Sequence, residues 1–146
     1  MTRIACLFIP LFPLAARLRS EPELAGEAVA VCEGNGSAAR VVGASRPARR
    51  SGVRSGMSLA QARGILPSLI ARGRDASSES SAHEALLEAA TSLSPRLEDA
   101  APDTVFTDVS GMERLYDGAA HEHDMGQAAI VAAGSLDRPT RVGTAS

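Results

Sequence analysis

The sequence contains no lysine, and all fifteen of its basic residues are arginine. It has no tryptophan, one tyrosine and three phenylalanines, so few large aromatic side chains are available to anchor a partner. Its two cysteines, Cys6 and Cys32, each sit inside an apolar run. That placement fits two buried free thiols better than a disulfide or a metal pair. No apolar run approaches the roughly 18 residues of a membrane span. The N-terminus lacks a secretion-signal pattern, because its apolar run is short and interrupted by Pro10 and Pro13. A cytosolic protein is therefore expected. Two further absences concern acid: no carboxylate precedes Glu21, and none occurs from residue 34 to residue 74.

What is present fits a globular chain. With 146 residues, 45% of them apolar, it has enough material for one ordinary domain or two small lobes. A chain of this size buries roughly 70% of its unfolded surface, so a real core is possible. The net charge of −2 alone predicts no polyanion partner, but its distribution is uneven. Residues 34–74 carry Arg40, Arg46, Arg49, Arg50, Arg54, Arg63, Arg72 and Arg74, a local charge of +8. Residues 75–137 hold thirteen acids against Arg96 and Arg114. A basic segment is thus joined to an acidic remainder, and arginine suits bidentate phosphate contacts.

Periodicity and turn chemistry give a coarse element order. Residues 3–9 read as a buried strand, and 13–19 as a helix with proline in its first turn. Residues 28–33 ("AVAVCE") and 39–44 ("ARVVGA") read as a hairpin around the turn Gly34-Asn35-Gly36. Ser45 is placed to cap a short helix ending at Gly52. Ser58 and Gln61 have capping-box spacing for a helix that runs to about Ile65 and is ended by Pro67. A serine-rich helix start at 77–81 leads into Leu86, Ala89, Ala90, Leu93 and Leu97 at helical period, with Pro95 breaking or kinking the helix. Residues 105–109 ("VFTDV") alternate like a strand, 111–116 read as a turn or short helix, 124–133 as a helix and 141–145 as a strand. The order predicts an α+β fold with a small lobe inserted early.

Three motifs carry possible chemistry. "HEHD" at 121–124 has metal-ligating residue types, but adjacent helical residues do not face each other, and a solvated helix start is the better reading. Arg46 and Arg49, three apart, share a face of a helical turn and can hold a triphosphate together; a solvated arginine-rich helix accounts for the spacing equally well. Asp103 lies at the start of the 105–109 strand and Asp108 at its end. A strand-end carboxylate can hold magnesium if a neighbouring strand supplies a second one, and the opening strand has none.

Together these blocks resemble the palm and fingers of a Y-family, translesion-type DNA polymerase. Members open with a strand reading roughly h-x-D-x-D/N-x-F-F/Y-A; here that region is "CLFIPLFPLA", with Leu7 and Ile9 at the acidic positions and Phe12 at the aromatic sugar-selecting position. The second block, S-Y-x-A-R-x-x-G-I/V-x-x-G-M, is met by "SRPARRSGVRSGM" at 45–57. There Arg49 matches the triphosphate-contacting arginine and Arg46 replaces the tyrosine that assists it. The third block appears as "APDTVFTDVS", with Asp103 at the catalytic aspartate and Thr104 replacing the adjacent glutamate. The closing "RVGTAS" is similar to a palm strand that the family follows with a phosphate-binding lysine.

The resemblance implies a ferredoxin-like palm sheet from residues 1–10 and 76–146, with helices on one face, and inserted fingers from 11–75. The thumb and little finger are expected to lie beyond Ser146, so the chain is expected to be a truncated piece or the product of a fragmentary gene. The pattern "FP…SRPARRSGVRSGM…DVSGMERLY" resembles most the ImuB-type branch, which has lost catalysis. That implies a non-enzymatic scaffold of DNA repair and damage-induced translesion synthesis, with no cofactor and with Asp103 as a vestigial ligand. The implied partners are DNA, an error-prone replicative-type polymerase, an ImuA/RecA-like accessory protein and the sliding clamp. DNA binding by these residues is expected to be weak, sequence-independent and centred on Arg46, Arg49, Arg50 and Arg54. Two alternatives stay open: an active lesion-bypass polymerase using Mg²⁺, and an unrelated ferredoxin-like module binding a small ligand.

Overall fold

The computed structural model describes residues 3–110 and 141–145. The 121–124 motif and the elements expected over 111–116 and 124–133 lie outside these residues. The chain divides into two compact units, Met1–Pro10 with Ser80–Ser146, and Leu11–Glu79. Strands and helices are mixed in an α+β fold, as expected.

The first unit is built on one antiparallel sheet. Its strands are β1 (Ile4–Phe8), β5 (Leu97–Ala101), β6 (Thr104–Asp108) and β7 (Arg141–Ala145), in the order β5-β6-β1-β7. The strands expected near 4–9, 105–109 and 141–145 therefore share one sheet. On β1 and just beyond it, Ala5, Leu7 and Ile9 are buried, whereas Ile4, Cys6 and Phe8 are only partly covered. On β6 and beyond, Val105, Thr107 and Val109 are buried, and Thr104, Phe106 and Asp108 are not. This period-2 pattern gives the sheet one core face and one open face.

Helix α4 (Ala76–Leu93) covers the core face. It buries Ala82, Ala85, Leu86, Ala89 and Ala90, a stripe at helical spacing. His83 fixes its position: the ring Nε2 lies 3.0 Å from Asp99 Oδ2 and Nδ1 lies 2.8 Å from the Pro102 carbonyl. Asp99 stands opposite Val105 in the ladder, so α4 lies on the Val105 side. Leu97, expected at the end of the helix, instead begins β5, because Pro95 stops α4 and the chain turns back onto β6.

The second unit holds a three-stranded sheet of order β3-β2-β4, formed by β2 (Val29–Glu33), β3 (Arg40–Ala44) and β4 (Ile70–Gly73). The expected hairpin is β2–β3, and β4 adds to the other edge of β2 in parallel. Val29 and Val31 pack with Leu14, Leu18 and Leu24. Ala30 and Cys32 pack on the opposite side with Ala48, Val53 and Ala62. A central strand buried on both faces explains the uninterrupted apolar run "AVAVC".

Three helices flank this sheet: α1 (Phe12–Ser20), α2 (Arg46–Arg50) and α3 (Leu59–Ile65). The entry to α1 is strained, since Leu11 adopts φ 50°, ψ 51°, the left-handed region that disfavours a branched side chain. α1 lies close to β3, where a Cβ at Gly43 would sit 3.4 Å from Leu14 Cβ. The expected capping box of α3 is present: the Gln61 amide donates to Ser58 Oγ and the Ser58 amide donates to Gln61 Oε1. Ser45 precedes α2 as expected, but its hydroxyl does not cap the helix. It donates to the Glu27 carbonyl and accepts from the Val29 amide, tying the start of α2 to β2.

His83 makes stability depend on pH. Burial pulls its imidazole down, but the Asp99 carboxylate, the Pro102 carbonyl and Glu84 outweigh burial and raise it above the ordinary histidine value. Both ring nitrogens face acceptors, so the doubly protonated ring satisfies both. The protonated ring's contribution is fully present below the unfolded value of about 6.5 and is lost as pH rises through the raised folded value. Replacing His83 by Gln should therefore remove a loss of stability that the parent shows above about pH 6.5 in chemical-denaturation curves. Parallel pH profiles for parent and variant would contradict this.

Candidate functional site

Two sets of candidate residues emerge, one in each unit. In the first unit they gather where β1 meets β6. The cross-strand rows there read Thr104–Phe8–Arg141, Phe106–Cys6–Gly143 and Asp108–Ile4–Ala145 in register. Leu7 and Ile9 lie in the alternate rows, 0% and 2% exposed, on the core side with Val105. The structure therefore does not bring Leu7 and Ile9 together with Thr104; it brings Cys6 and Phe8 to the face that Thr104 and Asp108 share. Period-2 alternation predicts two faces but not which one meets the helix, so the sequence pointed to Cys6 only as a buried thiol and not to Phe8; Cys6 is free but only partly covered, whereas Cys32 is buried as expected.

Asp103 precedes β6, with its carbonyl accepting the Ile9 amide at 3.0 Å and its Oδ1 accepting the Thr104 hydroxyl at 2.8 Å. Asp108 is five residues further on, roughly 17 Å away at the rise of an extended strand. Two carboxylates that far apart cannot share an ion. Hydrogen bonds from Ser110, with help from Arg96, hold the Asp108 carboxyl below its ordinary value. Burial, and then the Asp103 charge, push the Cys6 thiol up, so it is a poor thiolate ligand. A magnesium centre needs several oxygen donors converging at close range. Asp103 is the one carboxylate among the described residues at this corner, and β1 answers it with Phe8 and Cys6. The described residues at this corner do not by themselves make up a two-metal centre.

In the second unit the candidates lie on α2 and the turn after it. Arg46, Arg49 and Arg50 are exposed, while Ala48 between them is fully buried and seats the helix. Arg46 and Arg49 share one side of the turn, as do Arg46 and Arg50. Arg54 differs from these three: its Nη1 donates to the Arg49 carbonyl at 2.7 Å and to the Val53 carbonyl at 3.0 Å, capping the end of α2. Arg54 is thus a positioning residue for the helix that carries Arg49. Phe12, at the start of α1, is 6% exposed and belongs to the apolar interior.

Arg19 apart, the arginines of this unit fall into two classes. Arg17 pairs with Glu21 and Asp75, Arg72 with Glu21, and Arg74 with Glu33 and Glu79. No acid of this unit pairs with Arg40, Arg46, Arg49, Arg50, Arg54 or Arg63. Arg40 and Arg63 join the unpaired class without having been picked from sequence, where only the absence of acids over 34–74 pointed to them.

The sequence profile of the impB/mucB/samB family matches residues 7–141. Among solved structures, the chain is similar to a post-insertion binary complex of Dbh DNA polymerase, at 22% identity and a TM-score of 0.79, covering 99% of this chain and 42% of that one. An insertion ternary complex of the same polymerase gives 21% identity and a TM-score of 0.76, with 99% and 42% covered. DinB from Sulfolobus solfataricus gives 20% identity and a TM-score of 0.75, with 99% and 42% covered. At these identities the likeness is one of fold, and the chain spans about two fifths of the length of each structure. No curated protein matches it.

Truncating the cap on α2 should cost more than truncating its neighbour. Arg54→Ala is expected to lose about 1 kcal/mol in denaturant unfolding and to speed hydrogen exchange at Ser51, Gly52 and Val53. Arg50→Ala should stay within about 0.5 kcal/mol of the parent. Equal effects of the two substitutions would contradict the capping role.

Proposed function

The chain belongs to the impB/mucB/samB family, and from that premise we propose that it is a non-catalytic, Y-family DNA polymerase-like protein of the ImuB type. In this reading the first unit is the palm and the second the fingers. The protein acts in damage-induced translesion synthesis as a scaffold that contacts nucleic-acid phosphates and partner proteins. The larger protein would work with an error-prone polymerase, a RecA-like accessory protein and the sliding clamp.

The observation that supports this reading best is the make-up of β1. The strand that the resemblance endows with two metal ligands contains no carboxylate, and Asp103 has no acidic partner within reach among the described residues. Phosphoryl transfer with two ions depends on several carboxylates to hold both in line with the attacking and leaving oxygens. The surviving chemistry is the arginine set Arg46, Arg49 and Arg50, exposed on α2 and without an acidic partner among the described residues, which suits phosphate contacts without base readout.

A second reading has its own support: two of the solved structures of similar fold are complexes of Dbh DNA polymerase. If the chain shares that activity, Asp103 would bind Mg²⁺. Primer extension separates the two. Extension with Mg²⁺ or Mn²⁺ should not rise above the buffer control; extension abolished by Asp103→Ala would establish the active reading instead.

DNA affinity should fall steeply with salt, with similar slopes for different sequences. Arg46→Ala and Arg49→Ala should each reduce the slope of log affinity against log salt by about one unit. Salt-insensitive binding, or variants that match the parent, would contradict phosphate contact by α2.

A further inference from the structure

The second unit contains a cavity of about 390 Å³ between the β2–β3 connection, α3 and β4. Cys32 and Ala39 line its buried side, Leu59 and Ala71 its walls, and Ser37 and Arg63 its exposed rim. No carboxylate lines it, and neither do Arg46, Arg49, Arg50 or Arg54. A Cβ at Gly36 or Gly73 would meet nothing within 4 Å, so these two glycines leave the mouth open.

The charges around this cavity are unevenly committed. Arg72 also lines it, but its Nε is held by Glu21 at 3.0 Å. Glu33, beside Cys32 in sequence, is answered by Arg74 at 3.5 Å. Arg63 forms no hydrogen bond or ion pair with any described residue, and the Ser37 hydroxyl has no partner among them either. The Arg63 charge is near enough to Cys32 to oppose part of the upward push that burial gives the thiol. An uncommitted guanidinium and hydroxyl at the rim of an apolar hollow are the groups that an amphipathic anion site needs.

We propose that this cavity binds a small organic phosphate, with the phosphate on Arg63 and Ser37 and an apolar body against Ala39, Leu59 and Cys32. The volume lies in the range of about 300–1,000 Å³ usual for small-molecule sites. A single uncommitted cation suits a phosphate monoester better than a polyphosphate. The site shares no residue with the arginine face of α2 and is independent of the function proposed above.

Adenosine monophosphate is the probe, followed by heteronuclear NMR of the Gly34, Gly36 and Gly73 amides in the whole chain. Saturable shifts with a Kd of about 1 mM or tighter are expected. Arg63→Gln should weaken binding at least about tenfold, because a charge-assisted bidentate contact is lost. Ala60→Leu, which adds bulk at a lining position on the exposed side of α3, should also block binding, and Arg49→Ala should leave it unchanged. Adenosine and inorganic phosphate should each bind more weakly than the monophosphate. The proposal is overturned if the three glycines show no saturable shift or if Arg63→Gln binds like the parent. It is equally overturned if inorganic phosphate or an oligonucleotide binds there as tightly as the monophosphate.

Discussion

Hydrogen bonding along both edges of β1 is the constraint on which the first unit depends. β1 pairs antiparallel with β6 on one side and β7 on the other, so all its backbone polar groups are committed to the sheet. A strand in that position must give one of its two side-chain sets to the core. Ala5, Leu7 and Ile9 are that set, fully covered beside Val105 and Thr107. A carboxylate at 7 or 9 would enter the core at a cost of several kcal/mol unless paired. The other set, Ile4, Cys6 and Phe8, meets Asp108, Phe106 and Thr104 across the ladder. The apolar corner next to Asp103 follows from this division. The strand is used for packing on one face and offers only a thiol and hydrocarbon on the other.

The second unit solves a different problem, which is to carry many arginines on a small core. Alanine and valine dominate the apolar cluster on one side of β2, and leucine and valine make up the cluster on the other. The Ser45 hydroxyl bridges Glu27 and Val29 and so fixes where α2 leaves the sheet, while Arg54 closes the other end of that short helix. Between these two anchors Arg46, Arg49 and Arg50 project from one and a half turns of helix. Acids placed near Arg17, Arg72 and Arg74 neutralise the β4 end of the unit and leave the α2 end charged. Net charge along the sequence is thereby converted into one neutralised and one cationic region.

Much of the fold was legible in the sequence where local chemistry decides the outcome. The Ser58–Gln61 capping box, the β2–β3 hairpin and the joining of 4–9, 105–109 and 141–145 in one sheet all depend on patterns within a few residues or on family resemblance. β4 was not legible, because "IARG" is short, partly exposed and has Arg72 and Gly73 as its second half; it is a strand because β2 offers it a free edge. β5 was hidden by "LEDAA", whose composition suits a helix. For the site, the absence of acid on the first strand was visible at once. The face each β1 residue occupies, the role of Arg54 as a cap, and the placement of His83 between two acceptors all require the long-range partner. A single strand or helix does not contain that information.

On the proposed function, the corner at Asp103 assembles no metal centre. The most direct measurement is Mn²⁺ titration followed by paramagnetic broadening of the amides of Cys6, Phe8, Asp103 and Thr104. Broadening no stronger than at other exposed carboxylates such as Glu98, and unchanged in Asp103→Ala, is the expected result. Selective broadening of these four amides at stoichiometric Mn²⁺, abolished by Asp103→Ala, would contradict it.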